Sequence, residues 1–519
     1  MTEFALPGMT PFRTWAGFIL MCLGMFMAIL DIQIVATSLP TIQQALGIGP
    51  DKMSWVQTAY LTAEIVSIPL TGYLTRLMGM RLLFVTAVSI FTLASTGCAA
   101  STGFPGLIVF RVVQGFAGGT LIPTVFAAVF VMFPVSRQGV ATTIAGVVAV
   151  FAPTVGPIVG GWLTQTYSWH WLFLINILPG VIAALGAAAL LDRRQFDWSE
   201  LRSIDAPALI ALTVSLAALE IGLKDAPSRG WGSAHIAILL AMCAAGALVF
   251  VGKTLRSGKP LVNLRNFADR NFTIGCVLSF VLGIGLFGST YLMPFFLGLV
   301  RGYGALQIGE IMLVTGVAQL LTAPVAVTLE QRVDVRILTG FGFVLFAAGL
   351  GMSAWQTRDT GFEGMLIPQI LRGAAIMFCL LPPTRLALGN LPLAQVADGS
   401  GLFNLMRNLG GAIGLALIDT VIFSRSATHA SQIATQLREG NADTAAMIGI
   451  PHGVFTAMAG QPLDADTQQM LSAMIEKAAM VRSINDAWGG IAILTALALL
   501  LLPLVHRLPA MVVPSAPPK

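Results

Sequence analysis

Charge is what this chain has least of. Asp, Glu, Lys and Arg make up 10% of its 519 residues, while 56% are hydrophobic. A soluble globular domain carries about 25% charged residues, so a large water-soluble fold is excluded. Cysteine is also scarce. The five thiols, Cys22, Cys98, Cys243, Cys276 and Cys379, all sit in apolar runs without CxxC spacing. That pattern reads as buried thiols and offers no disulfide framework or metal site. The five histidines are scattered without ligand spacing, and no metal or other cofactor is expected. There is no Walker loop to support ATP drive, and no HExxH or GxSxG site to argue for an enzyme. No cleavable leader is expected, because the first apolar run, from Trp15 to about Leu39, exceeds a signal core of about 7–15 residues. The net charge of +5 lies mostly in short loops between apolar segments, which speaks for topology and against nucleic acid.

What is present is a series of long apolar runs. A membrane helix needs about 20 mainly apolar residues. Fourteen such runs are expected near 15–39, 54–75, 82–101, 105–133, 139–162, 170–191, 204–224, 234–254, 272–298, 305–329, 336–355, 363–389, 398–423 and 487–508. The chain therefore reads as an all-α polytopic membrane protein. With the N-terminus placed inside, the cytoplasmic loops collect about fifteen Lys and Arg from Arg13 to Arg507, against Lys52, Arg229, Arg301 and Arg358 outside. An even number of spans then puts both termini inside. The expected organisation is a cytoplasmic start at 1–14, six spans over 15–191 and two over 204–254. A cytoplasmic linker follows at 255–271, then six spans over 272–508 with an outer loop at 424–486, and a cytoplasmic tail at 509–519. The outer loop reads as an amphipathic helix from Asp464 to Asn485, with Met470, Leu471, Met474, Ile475, Ala478 and Val481 on one face. It either caps the outer surface or docks a partner.

Ionisable groups inside lipid are costly and usually face a bundle interior or a water-filled path. Asp31 lies about 6 Å outward of the middle of the first run and Arg111 about 10 Å outward of the middle of the fourth, at 1.5 Å per residue. Their depths allow a contact. Glu64 sits near the centre of the second run, with Gln57 and Tyr60 placed on the same face. These three ionisable groups, Asp31, Glu64 and Arg111, are the candidates for proton coupling, since a carboxylate that alternates between burial and a nearby cation gains and loses a proton. A structural ion pair for Asp31, and a plain interhelical hydrogen bond for Glu64, are the competing readings. Gln33, Gln57, Tyr60, Gln114, Arg372, Asn404 and Arg407 are candidates for a substrate cavity. Glu220, Glu310 and Asp419 fall nearer the outer ends of their runs and read as interfacial groups. Weak repetition links the halves: Arg111 precedes Pro123, as Arg372 precedes Pro383, and each has a glutamine three residues away, Gln114 and Gln369.

Several stretches resemble a known family. Leu107, Arg111, Gln114 and Gly115 match LxxxRxxQG, and Gly156-Pro157-Ile158-Val159-Gly160-Gly161 matches the GPxxGG antiporter motif, of major facilitator drug:proton antiporters. Ala28–Ile42 resembles the LDxTIVNVALPxI segment of the fourteen-span, EmrB/QacA-like subfamily, with departures at Gln33, Ala36, Thr37 and Ser38. Gly72, Leu74, Gly79 and Arg81 match the GxLaDrxGrr loop, where Arg76 replaces the aspartate. Ser400–Gly414 resembles SxxxNxxRxxGGxxG, Lys259–Phe272 the segment preceding the second bundle, and Ser168–Gly180 the start of the sixth span. The resemblance implies a major facilitator fold, two six-helix bundles plus two extra helices, with alternating access and proton-driven export of hydrophobic or amphiphilic compounds across the inner membrane. It gives Gly72, Gly79, Arg81, Gly156, Pro157, Gly160 and Gly161 a part in gating. The aspartate's part in the inner latch does not carry over to Arg76. A periplasmic membrane-fusion adaptor and an outer-membrane channel are partners the resemblance implies. Export of one endogenous amphiphile, uptake, and a non-transporting scaffold or sensor are the alternatives.

Overall fold

The computed structural model describes residues 10–48, 55–192, 196–198, 205–330, 332–451, 455 and 465–506. Within them every regular element is helical. The terminal segments 1–9 and 507–519, and the basic residues Lys52, Arg193, Arg194, Arg202 and Arg507, lie outside the described residues.

The first half runs α1 (Pro11–Leu46), α2 (Trp55–Ser67), a 3-10 turn Ile68–Leu70, α3 (Thr71–Ala99), α4 (Phe104–Met132), α5 (Val135–Thr166), α6 (Trp171–Leu174) and α7 (Ile177–Leu190). Two helices follow, α8 (Ala206–Arg229) and α9 (Ala234–Arg256). The second half runs α10 (Arg270–Leu299), α11 (Ala305–Glu330), α12 (Val335–Met352), α13 (Phe362–Leu388), α14 (Leu393–Arg438), α15 (Ala442–Ile448) and α16 (Ala465–Leu497). Many starts are capped as their sequences dictate. Thr10, Asp205, Ser233, Asp269 and Asp334 each accept a backbone N–H of the first turn.

Thirteen helical stretches among the described residues are long and apolar enough to cross a membrane. One of them, Trp55–Ala99, is broken at Gly79, whose φ of 73° and ψ of 157° suit glycine and interrupt the helix. Val56 and Ser95 both reach the Arg111–Gln114 turn of α4, so the chain has reversed between them. That stretch is two spans, which brings the total to the fourteen read from hydropathy.

Two apolar cores divide the molecule, one centred on α1–α8 and one on α10–α16. The first continues into the second half through Phe272, Leu388, Val396 and Phe403, at the end of the molecule that carries Arg76 and Arg81. Large apolar side chains such as Leu93, Leu185 and Leu248 are turned outward, as expected of a surface solvated by lipid. The extra pair is not a detached appendage. α8 packs against both α2 and α14, and Trp231 donates to Thr420 Oγ1 at 2.9 Å. Asp205 and Lys253, 3.3 Å apart, join α8 to α9.

Two expectations change. The segment after the thirteenth span is not a loop leading to a separate cap helix. α14 continues unbroken for 46 residues, about 69 Å at 1.5 Å per residue, and α16 runs continuously from Ala465 into the last span. They form a helical hairpin held by Ile433, Ala445, Ile448 and Ala479, against which Leu471, Met474, Ile475 and Ala478 pack. Met470, placed on that face by its spacing, is instead 61% exposed. Second, α8 extends to Arg229, five residues beyond the end read from hydropathy. Glu220 then lies about 4 Å from the middle of its helix at 1.5 Å per residue, not at its outer end.

Candidate functional site: two charged centres across the bundle interface

The first centre is sealed inside the first bundle. Asp31 and Arg111 are both fully buried, and Arg111 Nη1 lies 2.5 Å from Asp31 Oδ2. Gln114 Nε2 donates to Asp31 Oδ1 at 3.0 Å, and Asn176 Nδ2 to the same oxygen at 2.8 Å. Gln114 Oε1 accepts from Arg111 Nη1 at 2.7 Å, and its amide also donates to Ser95 Oγ at 2.8 Å. Arg111 Nε reaches the Val56 carbonyl at 3.0 Å. Its guanidinium stands 4.4 Å from the centre of the Tyr60 ring and 5.8 Å from that of Phe173. A buried charge pair is tolerable only when its remaining donors and acceptors are also met, and Gln114, Asn176 and the Val56 carbonyl meet most of them, with Ser95 in turn accepting from Gln114.

The LxxxRxxQG spacing explains how α4 delivers this. Arg111 and Gln114, three residues apart, share one face. Gly115 and Gly119 let the backbone of α2 close on α4: a Cβ at Gly115 would sit 2.2 Å from the Tyr60 carbonyl oxygen, and one at Gly119 2.5 Å from that of Glu64. Asn176, from the Ser168–Gly180 stretch, is the member that sequence reasoning did not single out. Its signal was an asparagine within an apolar run.

The second centre lies between the bundles. A cavity of about 60 Å³ is bounded by Gln33, Glu64 and Ile122 from the first half and by Leu286, Ile376 and Arg407 from the second. Glu64 is 2% exposed and its Oε1 has no hydrogen-bond partner. Across the cavity, Arg407 donates to Asn404 Oδ1 and stands 5.6 Å from the centre of the Phe126 ring. A smaller space of about 40 Å³, lined by Pro153, Thr290 and Arg372, adjoins it. Arg372 stacks over Trp488 at 5.0 Å, and Thr315 donates to Gln369 Oε1 at 3.1 Å.

The candidate residues therefore separate. Glu64, Gln33 and Arg407 line the inter-bundle cavity, Asn404 braces Arg407, and Arg372 lines the adjoining space. Tyr60 and Gln114, expected at a cavity wall, instead belong to the sealed Asp31–Arg111 network. Tyr60 donates from its hydroxyl to the Ala28 carbonyl at 3.2 Å. Gln57 is half-buried on α2 and lines neither space. The three residues placed on one face of α2 thus do not share one wall: Tyr60 packs on Arg111 and Glu64 faces the cavity.

The motif glycines and prolines pack helices together around these centres. Gly156 abuts Gln33, with 2.4 Å between a Cβ there and the Gln33 Cβ. The Gly160 carbonyl accepts from Ser38 Oγ at 3.5 Å. α5, which carries Pro153 and Pro157 within it, thus presses the antiporter motif onto the Asp31 helix. Its neighbour Ile158 meets Gly309 of α11, where a Cβ would sit 3.0 Å from the Ile158 nitrogen. Buried Gly161 adjoins Gly160, and the carbonyls of both accept from Thr164 Oγ1, at 2.8 Å and 3.2 Å. At the basic end Arg81 donates to the Ala188 carbonyl, tying the third span to α7. Gly72 leaves room for Asp398 of the second bundle.

Comparison with known proteins fits this geometry. The profile of the Major Facilitator Superfamily matches residues 21–415. The chain belongs to the major facilitator superfamily. Within it the chain falls in the drug-efflux subfamily of the EmrB type. It is 38% identical to the colistin resistance protein EmrB of Acinetobacter baumannii, over 83% of this chain and 84% of that one. It is 32% identical to the multidrug export protein EmrB of Escherichia coli K12, with the same coverage. It is 30% identical to the fatty acid resistance protein FarB of Neisseria gonorrhoeae, over 80% of this chain and 82% of that one. The human organic anion transporter MFSD10 shares the fold at a TM-score of 0.59 and 13% identity, covering 94% of this chain and all of that one. The proton:xylose symporter XylE does so at 0.57 and 13%. Members of this superfamily are transporters and not enzymes. No group of His, Cys, Asp and Glu among the described residues is arranged to hold a metal ion.

Proposed function

We propose that the protein is a proton-coupled exporter of hydrophobic and amphiphilic compounds, working by alternating access across the cytoplasmic membrane. The observation that carries this reading is the cavity between the bundles, with Glu64 of one half and Arg407 of the other at its walls. A carboxylate with an unpaired oxygen at that position gains a partner when it binds a proton or a cation. The relatives' names, which cover colistin, multiple drugs and fatty acids, support an amphiphilic substrate class.

The basic end, with Arg76 and Arg81, is assigned to the cytoplasm together with both termini, and the α14–α16 hairpin to the outer side. In this arrangement protons arrive from outside. Glu64 faces the cavity and is the first acceptor. Asp31 sits behind it in a network that has to loosen before its carboxylate can take a proton. Protonation weakens the Asp31–Arg111 pair, releases α1 and α4 from their present packing and favours discharge of substrate. Reopening toward the cytoplasm restores the pair and returns the proton. At about 60 Å³ the cavity is too small for a drug-sized ligand, which needs roughly 300–1,000 Å³. The structure is accordingly assigned to a contracted step of the cycle.

The inner-membrane location and a periplasmic adaptor with an outer-membrane channel belong to the same reading. For the adaptor, the projecting hairpin of α14 and α16 is the proposed docking element. The decisive assay is dye efflux from a pump-deficient strain, with and without a protonophore. Export that stops on protonophore addition is expected, and export indifferent to it overturns the coupling. Reconstitution with an imposed pH gradient separates the alternatives: a scaffold moves nothing, and an importer runs in the other direction.

A further inference from the structure

The two halves each bury an arginine on their fourth span and treat it differently. α1 and α4 are the first and fourth spans of the first half, and α10 and α13 hold the same places in the second. Arg111 of α4 is met by Asp31 of α1 at 2.5 Å. Arg372 of α13 has no such partner, and α10 carries no Asp or Glu along its whole length. Glu363 is the only acid on α13 and lies about 14 Å away along the helix at 1.5 Å per residue. Arg372 is nevertheless 3% exposed, and no hydrogen bond or ion pair reaches it among the described residues.

Its immediate neighbours add donors where it needs acceptors. Gln369, one turn earlier on α13, is fully buried. Its Oε1 is taken by Thr315 at 3.1 Å, and its Nε2 has no partner. The Trp488 ring, 5.0 Å from the guanidinium, relieves part of the charge. A ring face supplies no lone pair, however, and the indole N–H is itself unpaired. Arg407 is better served, since it donates to Asn404. Arg372 faces a space of about 40 Å³, which it lines with Ser289, Thr290 and Thr315. One water needs about 10–15 Å³, so the space takes a group of a few heavy atoms. It shares Pro153, Leu286, Thr290 and Ile376 with the cavity between the bundles. A charged group held at Arg372 would therefore leave its apolar body on the side of that cavity.

We infer that this space is the receptor for the carboxylate head of an anionic amphiphile, with Arg372 as the counter-charge and Gln369 as the neighbouring donor. A carboxylate brings the single negative charge that the guanidinium lacks, and it presents two oxygens to the planar fork. A sealed pair such as Asp31–Arg111 has no need of a ligand, whereas an arginine without its acid is completed by one. Arg372 is thereby a specificity residue, favouring anionic over cationic amphiphiles of the same tail. In the contracted step the place of the head is kept while the room for the tail is closed. The inference rests on the export reading for the amphiphilic class of substrate, and it names the head group which that reading leaves open.

The test uses the full-length protein in nanodiscs of zwitterionic lipid, at an alkaline pH where dodecanoate is ionised. Dodecanoate is the probe, and dodecyltrimethylammonium, of the same tail and opposite charge, is the control. Protein-free nanodiscs give the background of partitioning into lipid. Arg372→Gln is expected to weaken dodecanoate binding by about tenfold or more without weakening that of dodecyltrimethylammonium. Arg372→Lys is expected to bind dodecanoate better than Arg372→Gln does. Thermal unfolding adds a readout that a structural arginine would not give. An uncompensated buried charge is costly, so ligand-free Arg372→Gln should unfold at the wild-type temperature or above. Dodecanoate should raise the unfolding temperature of the wild type and not that of Arg372→Gln. Wild-type affinity in Arg372→Gln, or equal loss for both probes, overturns the assignment, and so does a ligand-free variant that unfolds well below the wild type. Stabilisation by chloride in place of gluconate, with none by dodecanoate, gives the space to an inorganic ion and overturns the head-group role. If dodecanoate binds through Arg372 while cells expressing the protein export no dye, the site stands and the export reading falls. Dye export that persists without any dodecanoate binding removes the site and leaves the export reading.

Discussion

Arg76 Nη1 meets Asp398 Oδ2 at 2.5 Å, joining the end of the second span to the start of α14 in the opposite bundle. The same guanidinium donates to the carbonyls of Pro260 and Leu261, in the segment that connects the two halves. Arg76 stands where related transporters carry an aspartate, so its departure from the motif looked like the loss of a latch. In this chain a base at that position makes a contact of its own. The acid is supplied by α14 and the base by the loop, and Gly72 provides the space, since a Cβ there would lie 1.8 Å from Asp398 Oδ1.

This pair predicts the outcome of a charge swap. The Arg76 side chain is 29% exposed and that of Asp398 5%. The pair falls between exposed and buried ion pairs, and breaking it is expected to cost about 1–2 kcal/mol. Arg76→Asp alone puts two acids together and shifts the population toward opening at this end, by about 5–30-fold. The double variant Arg76→Asp with Asp398→Arg restores closure. Spin-label distances between the two bundles at the basic end read the shift directly. A double variant that stays as open as the single one defeats the assignment.

The sealed network predicts a different signature for Asp31. Asp31→Asn keeps the shape and several hydrogen bonds but removes the charge opposite Arg111. Export is expected to fall and to lose its dependence on pH, whereas an Asp31 that serves only as a structural pair leaves the pH profile intact. Transport by proteoliposomes across a series of pH values decides this. Export at the wild-type rate with unchanged pH dependence removes Asp31 from the coupling scheme.

Glu64 is separable from Asp31 because it faces the cavity. Glu64→Gln satisfies the cavity wall with a neutral amide, close to the protonated form of the native residue. Its expected effect is a protein that binds substrate but does not couple, with counterflow exchange retained and uphill export lost. The Asp31–Arg111 pair is untouched in this variant, so thermal stability should match the wild type within about 0.5 kcal/mol. Loss of binding together with export assigns Glu64 to the substrate and not to the proton.

Hydropathy marked the spans well because a helix surrounded by lipid has no alternative way to satisfy its backbone. Asp31 and Arg111 could also be matched, since depth along a helix follows from counting residues. Neighbour identity could not be read this way. The 3.6-residue period places Tyr60 and Glu64 on one side of α2, but only packing decides that Tyr60 closes on α4 while Glu64 looks into the cavity. Arg76 and Asp398 lie 322 residues apart, and nothing local joins them. In the loops Arg76 counted simply as one more cytoplasmic positive charge. Glu220 was read as close to an end because the polar stretch from Lys224 to Arg229 does not look like membrane helix, although α8 continues through it.

The close approach of α2 and α4 gives a last prediction, on stability. Gly115 lies against the α2 backbone, where an added Cβ would meet the Tyr60 carbonyl carbon at 2.8 Å as well as its oxygen. Backbone cannot rotate aside as a long side chain can, so Gly115→Ala must push the helices apart. The expected cost is about 1–3 kcal/mol, the usual range for overpacking. The shift also moves Val56 and Tyr60 away from Arg111, so the stability loss should come with weaker proton coupling. Gly232 has open space where a Cβ would stand, and Gly232→Ala serves as the control, with an effect expected within about 0.5 kcal/mol. Thermal unfolding of both variants in the same detergent makes the comparison. Equal stability of the two would mean that α2 and α4 are not packed as closely as this interface requires.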